Sequence, residues 1–536
     1  MSIEKRETVH ITGVSHQGEG VGRLADGRVV FVPGALPEED VIIGDLAKEK
    51  KRLVAPIEEI TLAHPERVIP ACPVYHACGG CQLQHAAPAL QEQIKTRRVQ
   101  DACERIGHLD LTVLPTLMMA DPWRYRNKGI FHVNEAAGET RLGFYGAAGH
   151  AFVPATDCLL FSQAVNSLLK DLEKRITATG RAGHIRKVMV RQSFATGEIM
   201  LAFITEDQAF RLPKLAASLL ADRPNLTSLW HNVLTNPRLA TGRAWHHLGG
   251  QRSLSDSIGD LQVQLSPASF FQVNNRQAKV LYDQIRHRAA LTGRETVLDL
   301  YGGIGTIGLY LARDAKSLIG VESIGDATRD ARDNARQLGI SNASFVTAKA
   351  ETWLPRQVKD QPAPDLIIVD PPRKGIHDRL IDTLITSKAP AIIYVSCNPA
   401  TLARDLKTFH KNGYQIHDIQ PVDLFPQTAH VETVCLLSKL NTKQHIEVDI
   451  HMDELDLTDA EKKATYGEIK EYVLEHTGLK VSSLYIAQVK QKYGIIEREN
   501  YNKPKSEDAK QPQCPPKKEA AILDALKHFG MLSDNC

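Results

Sequence analysis

The second half of the chain alternates short apolar runs with longer, more polar stretches. Four apolar runs suit strands that are buried on both faces, and they occupy residues 296–300, 317–321, 365–369 and 391–395. The stretches between these runs are long enough for helices. This alternation predicts an α/β fold with a doubly wound, Rossmann-like sheet. A polar break at residues 441–445 ends the pattern.

The first half has a different pattern. Between residues 8 and 60, short apolar runs such as 29–32 and 41–43 lie between turn signals, which predicts a small β-barrel of the oligonucleotide-binding type. Residues 86–106 favour a helix, and residues 123–265 mix strand-like segments with short helices. We therefore predict five segments along the chain, with limits at 1–62, 63–122, 123–268, 269–441 and 446–536.

The last segment has the pattern of a small helical extension. A capping box runs from Thr458 to Glu461, and helices are predicted at 482–492 and 516–529. The segment carries 13 basic and 17 acidic residues, so it does not have the charge of a nucleic-acid clamp. Docking or protein contact is the role we expect for it.

Composition narrows the class of protein. The chain has 536 residues and a net charge of +2, so its overall charge does not indicate a nucleic-acid partner. Residues 123–192 hold 11 Lys and Arg against 5 Asp and Glu, an excess that suits either RNA phosphates or a solvated surface. No apolar run reaches the length of a membrane span, and the N-terminus lacks the apolar core of a signal peptide. We expect a cytoplasmic protein, monomeric and without a membrane partner.

A glycine-rich turn follows the apolar run at 296–300. Residues 301–306 read Tyr-Gly-Gly-Ile-Gly-Thr, which allows a tight turn between a strand and a helix. The next predicted strand ends in Glu322, where an acidic side chain can hold both hydroxyls of a ribose. The dinucleotide fingerprint is only partly present, so glycines kept for packing alone are the alternative.

Two further motifs stand at the ends of predicted strands. Asp370-Pro-Pro-Arg373 follows one strand and Ser396-Cys-Asn-Pro399 follows the next, so Asp370 and Cys397 should both face the ligand crevice. A lone cysteine is usually a small buried residue, but Cys397 sits in a loop where its thiolate could be activated. Glu432 begins another short strand, where it is either a functional carboxylate or part of an edge salt bridge.

Three of the nine cysteines cluster. Cys72, Cys78 and Cys81 have metal-ligand spacing, and the glycines between the last two permit a tight chain path. Four ligands would be needed for a 4Fe–4S cluster or for structural zinc, and the spacing does not choose between them. Reduced cysteines without a metal are the third alternative. Cys103 and Cys435 fit no such pattern, and we expect them to be packing residues.

At these motifs the chain resembles the RNA uridine carbon-5 methyltransferase family, and most of all its bacterial 23S ribosomal RNA branch. That branch has an N-terminal TRAM domain and an iron–sulfur cluster. The resemblance covers about residues 8–440. It rests on five motifs in the family's order: 269–274 (Ser-Phe-Phe-Gln-Val-Asn), 301–305, 370–374, 396–399 and 430–433.

The resemblance implies roles for individual residues. Cys397 matches the nucleophile that attacks carbon 6 of uracil, and Glu432 matches the base that removes the carbon-5 proton. Phe270 falls where the family places an aromatic ring beside the target base, which must leave its stack to reach the site. The implied contacts to S-adenosylmethionine are Gln272, Tyr301, Glu322 and Asp370. The implied ligands of the 4Fe–4S cluster are Cys72, Cys78, Cys81 and Cys158.

The chain departs from the family at one point. Some members carry an Asn or Asp after the third strand of the sheet, where this chain has Lys349-Ala-Glu351, which puts the adenine contact there in doubt. Basic residues around Arg124, Arg126 and Lys128 are candidates for holding the RNA backbone.

Three other functions compete with 23S ribosomal RNA methylation. A transfer RNA methyltransferase of the same family is disfavoured by residues 1–85, since such members typically lack the TRAM domain and the cysteine cluster. A non-catalytic RNA-binding protein is disfavoured by the simultaneous presence of Cys397, Glu432 and the glycine loop. An NAD-dependent dehydrogenase is disfavoured by the incomplete glycine fingerprint.

Overall fold

The computed structural model describes residues 7–146, 151–210, 212–360, 362–439, 466–493, 514–529 and 531. Contacts within the chain define two compact units, Met1–Lys443 and Gln444–Cys536. The limits expected at residues 62, 122 and 268 fall inside the first unit and stay predictions. No helix in the described parts of the chain is long and apolar enough to cross a membrane.

The N-terminal region forms a sheet of short strands with alternating burial. Its seven strands are β1 (Glu7–Val14), β2 (Gly20–Arg23), β3 (Val29–Val32), β4 (Asp40–Ile43), β5 (Ala47–Glu49), β6 (Arg52–Val54) and β7 (Ile57–Leu62). They are ordered β5-β6-β3-β2-β1-β4-β7. Side chains of one face, including Val9, Ile11, Val30, Val32 and Val41, form a small core. The strands predicted at 29–32 and 41–43 are confirmed.

A long helix follows the cysteine segment. Helix α1 (Pro88–Ala102) begins with proline in its first turn and continues into a π-helical turn at Cys103–Gly107. This agrees with the helix predicted at 86–106. Cys103 is buried in a core shared with the C-terminal half of the unit, as expected for a packing residue.

The central region is a mixed sheet covered by helices. Its elements are β8 (Lys128–Ala136), β9 (Glu139–Tyr145), β10 (Phe152–Pro154), α2 (Gln163–Thr179), β11 (Ile185–Gln192), β12 (Ile199–Thr205), α3 (Pro213–Asp222), β13 (Leu226–Val233) and β14 (Ala244–Gly250). The strands are ordered β10-β9-β8-β11-β12-β13-β14. Strand β12 is buried along its whole length, because it lies in the interior of the sheet.

A hairpin and a helix lead into the C-terminal sheet. These elements are β15 (Leu254–Ile258), β16 (Leu261–Leu265) and α4 (Asn275–Ala289). The sheet and its helices are β17 (Thr296–Leu300), α5 (Thr306–Leu311), β18 (Ser317–Glu322), α6 (Gly325–Gln337), β19 (Ala343–Thr347), α7 (Ala350–Asp360), β20 (Leu366–Val369), α8 (Asp378–Thr386), β21 (Ala391–Ser396), α9 (Pro399–Lys411), β22 (Tyr414–Val422) and β23 (Glu432–Lys439).

This sheet confirms the predicted α/β domain. Its order is β19-β18-β17-β20-β21-β23-β22. The first five strands in that order are parallel, whereas β23 runs antiparallel to both of its neighbours. Two apolar clusters cover the two faces of the sheet, which explains why its central strands are apolar without alternation.

The second unit contains three described helices: α10 (Tyr466–Thr477), α11 (Ser483–Lys492) and α12 (Pro516–His528). The helices predicted at 482–492 and 516–529 are confirmed, and the Ser482 hydroxyl caps α11 by accepting a hydrogen bond from the Tyr485 amide. Ile469, Val473 and Ile522 belong to the apolar core of this unit. The capping box at 458–461 lies outside the described residues.

Candidate active site

The carboxyl ends of three neighbouring strands bring three predicted ligand residues to one edge of the C-terminal sheet. Strand β17 pairs in parallel with β18 and with β20, so that Leu300 lies opposite both Val321 and Val369. The next residue of each strand is therefore at the same level. These residues are Tyr301, Glu322 and Asp370.

The glycine turn at this edge requires its glycines. Tyr301, Gly303 and Gly305 all have positive φ angles, of 63°, 56° and 81°. A Cβ atom on Gly305 would lie 2.8 Å from the ring of Phe345, so no larger residue fits there. A Cβ atom on Gly303 would meet nothing within 4 Å, which means that this part of the loop faces open space beside the strand ends.

The Glu322 carboxylate is fixed against the same turn. It accepts hydrogen bonds from the amide of Gly303 at 3.2 Å and from the amide of Ile324 at 2.8 Å. The Ser323 hydroxyl donates a third, at 3.0 Å. The carboxylate is therefore oriented before any ligand arrives, and it stands beside the open space at Gly303.

A buried aspartate that the sequence analysis missed completes an acidic cluster here. Asp299 is fully buried in β17; its Oδ2 atom accepts the amide of Gly308 at 3.0 Å, and its Oδ1 atom has no hydrogen-bond partner among the residues that the structure describes. Burial, and then the charges of Asp370 and Glu322, raise the pKa of Asp299 to about 7. Burial likewise raises the pKa of Asp370 to about 7. A cationic ligand would relieve this repulsion, whereas a pyrophosphate would increase it.

The Tyr301 hydroxyl is hydrogen-bonded to another side chain of the protein. The hydroxyl donates a 2.8 Å hydrogen bond to the carboxylate of Glu351, which lies in the first turn of α7. The segment Lys349-Ala-Glu351, where this chain departs from the family pattern, thus contacts the glycine turn through Glu351.

Strand pairing brings Cys397 and Glu432 to the same place. Strands β21 and β23 are antiparallel neighbours with Ser396 opposite Thr433, so the residue that follows β21 meets the residue that begins β23. The Thr433 hydroxyl donates to the Ser396 carbonyl at 2.9 Å, which fixes this end of the ladder. Glu432 is only 6% exposed, whereas Cys397 is half-buried.

The electrostatics of this pair favour neutral groups in the free protein. Burial, and then the charges of Glu432 and Asp370, raise the pKa of Cys397 to about 11. Burial and the charge of Asp370 raise the pKa of Glu432 well above its usual value. Arg373 opposes both shifts, and its carbonyl accepts a 3.0 Å hydrogen bond from the Asn398 amide group beside Cys397.

The segment at 269–274 has one exposed position, Phe270. The ring of Phe270 is 68% exposed, whereas Phe271 is 4% exposed and Gln272 is 8% exposed. The backbone carbonyl of Gln272 accepts a 2.8 Å hydrogen bond from the side chain of Asn127. Sequence analysis assigned no role to Asn127, which comes from the basic motif at 123–128.

A cavity of about 570 Å³ brings the distant cysteines together. Its lining includes all four predicted ligands: Cys72, Cys78, Cys81 and Cys158. Burial is the main cause that raises the pKa of Cys81 to about 12 and that of Cys158 to about 11, and the other thiols of the set add to both shifts. Among the residues that the structure describes, however, no group of three or more His, Cys, Asp or Glu side chains is placed to hold a metal ion.

The same cavity reaches toward the catalytic strands. Its wall includes Val273, Arg373 and His430, which flank the predicted active-site residues Gln272, Asp370 and Glu432 in the sequence. The cysteine set and the candidate active site are therefore neighbours.

The residues of the basic motif at 123–128 make contacts with different parts of the protein. The Arg124 guanidinium donates to the Phe161 carbonyl at 2.9 Å, so it holds the segment that carries Cys158. The Tyr125 hydroxyl donates to the Pro426 carbonyl at 3.0 Å, in the loop before Glu432. Arg126 and Lys128 line the cavity. Arg126 also donates to a backbone carbonyl, that of Lys128, at 3.0 Å. Contact of these basic residues with RNA stays a prediction.

Models of two families match this chain. The model of the tRNA (Uracil-5-)-methyltransferase family matches residues 259–440, which include every residue of the candidate active site. A TRAM domain model matches residues 4–48, inside the segment 1–62.

Relatives and a solved structure agree with these matches. An uncharacterized RNA methyltransferase from Halalkalibacterium halodurans is 39% identical over 435 residues, which cover 78% of this chain and 93% of the relative. One from Bacillus cereus is 38% identical over 453 residues, which cover 82% of this chain and 98% of the relative. The crystal structure of the tRNA (uracil-54, C5)-methyltransferase of Pyrococcus abyssi with S-adenosyl-L-homocysteine has a TM-score of 0.64 at 27% identity, and covers 80% of this chain and 99% of that one. The chain belongs to the family of S-adenosylmethionine-dependent RNA uracil-5-methyltransferases.

Proposed function

We propose that this protein methylates carbon 5 of a uridine in 23S ribosomal RNA, with Cys397 as the nucleophile and Glu432 as the base. The observation that carries the proposal is the pairing of β21 with β23, which sets a thiol and a buried carboxyl group against each other. Both groups interact electrostatically with Asp370, at the carboxyl edge where the cofactor turn also ends.

The chemistry requires two proton-handling groups. Both groups are neutral in the free protein, so each must first lose its proton to solvent. The Cys397 thiolate then adds to carbon 6 of uracil, and the electrons of the carbon 5–carbon 6 double bond move into the enolate, which makes carbon 5 nucleophilic. S-adenosylmethionine, when bound, would supply an electrophilic methyl group, which carbon 5 takes as the bond from the methyl carbon to sulfur breaks. The Glu432 carboxylate then takes the carbon-5 proton, and its raised pKa makes it a stronger base than an ordinary carboxylate. The electrons left on carbon 5 re-form the double bond and expel Cys397 as a thiolate.

S-adenosylmethionine fits the acidic edge of the sheet. Asp299, Glu322 and Asp370 accumulate negative charge there, which favours a cationic sulfonium and disfavours the pyrophosphate of NAD. We propose that Glu322 accepts hydrogen bonds from the ribose hydroxyls, since its carboxylate is already oriented beside the open side of Gly303. Gln272, Tyr301 and Asp370 are the other contacts we propose.

A 4Fe–4S cluster is our proposal for the cysteine cavity, with Cys72, Cys78, Cys81 and Cys158 as ligands. Two features support it: the four thiols share one cavity, and burial disfavours the free thiolates of Cys81 and Cys158, which a cationic centre would stabilise. No described group of three or more His, Cys, Asp or Glu side chains is placed to hold a metal ion, so the choice of 4Fe–4S over zinc rests on the resemblance to the 23S ribosomal RNA branch. Its role would be to hold the cysteine segment, the Cys158 segment and the active-site loop together.

The target RNA has two candidates. The resemblance of the motifs favours 23S ribosomal RNA. Transfer RNA is favoured by the Pyrococcus abyssi structure, because its overlap with 80% of this chain extends beyond the C-terminal domain.

A methylation assay separates them. Purified protein with radiolabelled S-adenosylmethionine should label a 23S ribosomal RNA transcript at a single uridine and leave transfer RNA transcripts unlabelled, and Cys397→Ala should label neither. Labelling of transfer RNA alone would overturn the ribosomal target and keep the chemistry. Labelling by Cys397→Ala would overturn the nucleophile. We further propose a cytoplasmic monomer, and light scattering of the purified chain checks the oligomeric state.

A further inference from the structure

The segment that carries Phe270 is held in place by the buried guanidinium of Arg191. Arg191 of β11 is only 1% exposed. Its two terminal nitrogens donate to backbone carbonyls on either side of a turn, to Ser266 at 2.9 Å and to Ser269 at 2.5 Å. A buried guanidinium with two backbone acceptors holds the turn in one conformation, because each lost bond would leave a charged donor without a partner.

A carboxylate from the C-terminal domain holds the same turn. Asp330 of α6 accepts the Ser266 hydroxyl at 2.8 Å and the Ser269 hydroxyl at 2.6 Å through one oxygen, Oδ2. The Ser269 hydroxyl also accepts the amide of Ser266 at 2.9 Å. Burial lowers the pKa of Arg191 to about 10, and the charges of Asp256 and Asp330 oppose that shift. The turn is therefore held between a cation and an anion from two different domains.

The result is a fixed backbone that carries an exposed ring. Phe270 is 68% exposed, although the residues before and after it, Ser269 and Phe271, are 2% and 4% exposed. A single exposed ring is common on protein surfaces, so what distinguishes Phe270 is that it stands on a turn held by buried hydrogen bonds. Gln272, on the cofactor side, is held separately by Asn127.

We propose that Asp330 and Arg191 are positioning residues that set the Phe270 ring for contact with the target uracil. The inference rests on the proposed function, because it takes Phe270 as the ring that the resemblance places beside the target uracil. Neither residue touches the base. We call Arg191 and Asp330, with their hydrogen bonds to the turn at 266–269, the brace. Since Asn127 holds Gln272 independently, loss of the brace should change RNA methylation and leave cofactor binding unchanged.

A double-mutant cycle tests the proposal. Asp330→Ala should lower kcat/KM for RNA by about 100-fold, the order expected when a catalytic contact moves by about 1 Å. S-adenosylmethionine affinity should not change. Asp333→Asn, on the exposed side of the same helix, is the matched control and should behave as the wild type. Asp330→Asn keeps the shape and one acceptor, so it should fold and recover part of the turnover.

The decisive comparison uses Phe270→Leu. If the brace acts through the ring, Asp330→Ala should have no further effect in the Phe270→Leu background. Additive losses, or an equal loss of cofactor affinity, would overturn the brace while leaving the proposed chemistry in place. If Phe270→Leu alone methylated RNA at the wild-type rate, the proposed contact with the base would be wrong, and the brace would fail with it.

Discussion

Replacing Lys95 by methionine should destabilise the first unit through an uncompensated buried charge. Lys95 of α1 and Asp423, which follows β22, form an ion pair in which both side chains are fully buried. The ammonium group also donates to the Phe425 carbonyl at 3.2 Å. Within the described part of the chain, the other oxygen of Asp423, Oδ2, has no hydrogen-bond partner. Lys95 is therefore the main partner of this carboxylate.

The size of the effect follows from that burial. Burial raises the pKa of Asp423, and the charge of Lys95 opposes this shift. Breaking a buried pair by removing one partner costs about 3–5 kcal/mol, whereas an exposed pair contributes at most about 1 kcal/mol. The pair Lys279–Asp283, at 2.7 Å with side chains 50% and 43% exposed, is the matched control. Lys279→Met should cost little.

The sign of the pH dependence gives a second check. In Lys95→Met the folded-state pKa of Asp423 lies further above its unfolded value of about 3.9. A carboxyl group with a raised folded-state pKa binds its proton more tightly in the folded protein than in the unfolded chain. The loss in free energy of unfolding therefore has its full size above the folded-state pKa, and it decreases as the pH falls toward about 4. The deficit against the wild type should shrink accordingly.

Tryptophan fluorescence during urea unfolding measures this directly. All four tryptophans, at positions 123, 230, 245 and 353, lie in the first unit, so the signal does not include the second. Lys95→Met combined with Asp423→Asn should recover part of the lost stability, because the unpaired charge is gone. Equal stability of Lys95→Met and wild type at neutral pH would refute the reasoning, as would a deficit that does not change with pH.

Three further predictions concern the ligands. Glu322→Ala should weaken S-adenosylmethionine binding by about 1.5–3 kcal/mol, through the loss of charge-assisted bonds to the ribose; unchanged affinity in calorimetry would place the ribose elsewhere. Because the pKa of Asp370 is about 7, its charged form grows as the pH rises through 7, so affinity for the cationic cofactor should rise with it. Asp370→Asn should flatten that profile, and a steep profile in the variant would assign the titration to another group. Cys158→Ser should lose much of the iron of anaerobically purified protein, while the buried-core control Cys103→Ser keeps it; full iron in Cys158→Ser would mean another fourth ligand.

The C-terminal sheet could be predicted because its strands are buried on both faces. The apolar runs at 296–300, 317–321 and 391–395 match β17, β18 and β21. Since the carboxyl ends of parallel strands meet at one edge, the motifs that follow these runs could be grouped without coordinates. The pairing of β17 with β18 and β20 accordingly brings Asp370, which the sequence analysis expects at the crevice, to the same edge as Glu322.

The position of β23 could not be predicted in the same way. This strand runs antiparallel and lies between β21 and β22, so the last strand in the sequence is not at the edge of the sheet. Its register decides that Glu432 meets Cys397. Register is set by pairing along the whole strand and by the packing of its neighbours, which a short motif does not contain.

Residues that act through long-range hydrogen bonds were missed for a related reason. Asn127 contacts Gln272 across 145 positions of sequence, and Arg191 contacts Ser269 across 78. The bond from Arg124 to the Phe161 carbonyl spans 37 positions and is likewise not contained in the charge of its motif. Charge and residue type predict what a side chain can do, but the fold decides which partner it finds.

The most direct test of the central claim is trapping of the covalent intermediate. Glu432→Gln keeps the shape of the side chain but cannot accept the carbon-5 proton, so the bond between Cys397 and carbon 6 should persist after methyl transfer. A denaturing gel of this variant with substrate RNA and S-adenosylmethionine should show a protein–RNA band of reduced mobility. The double variant Cys397→Ala with Glu432→Gln should lack that band. A band that persists without Cys397, or its absence from Glu432→Gln despite intact RNA and cofactor binding, would contradict the account.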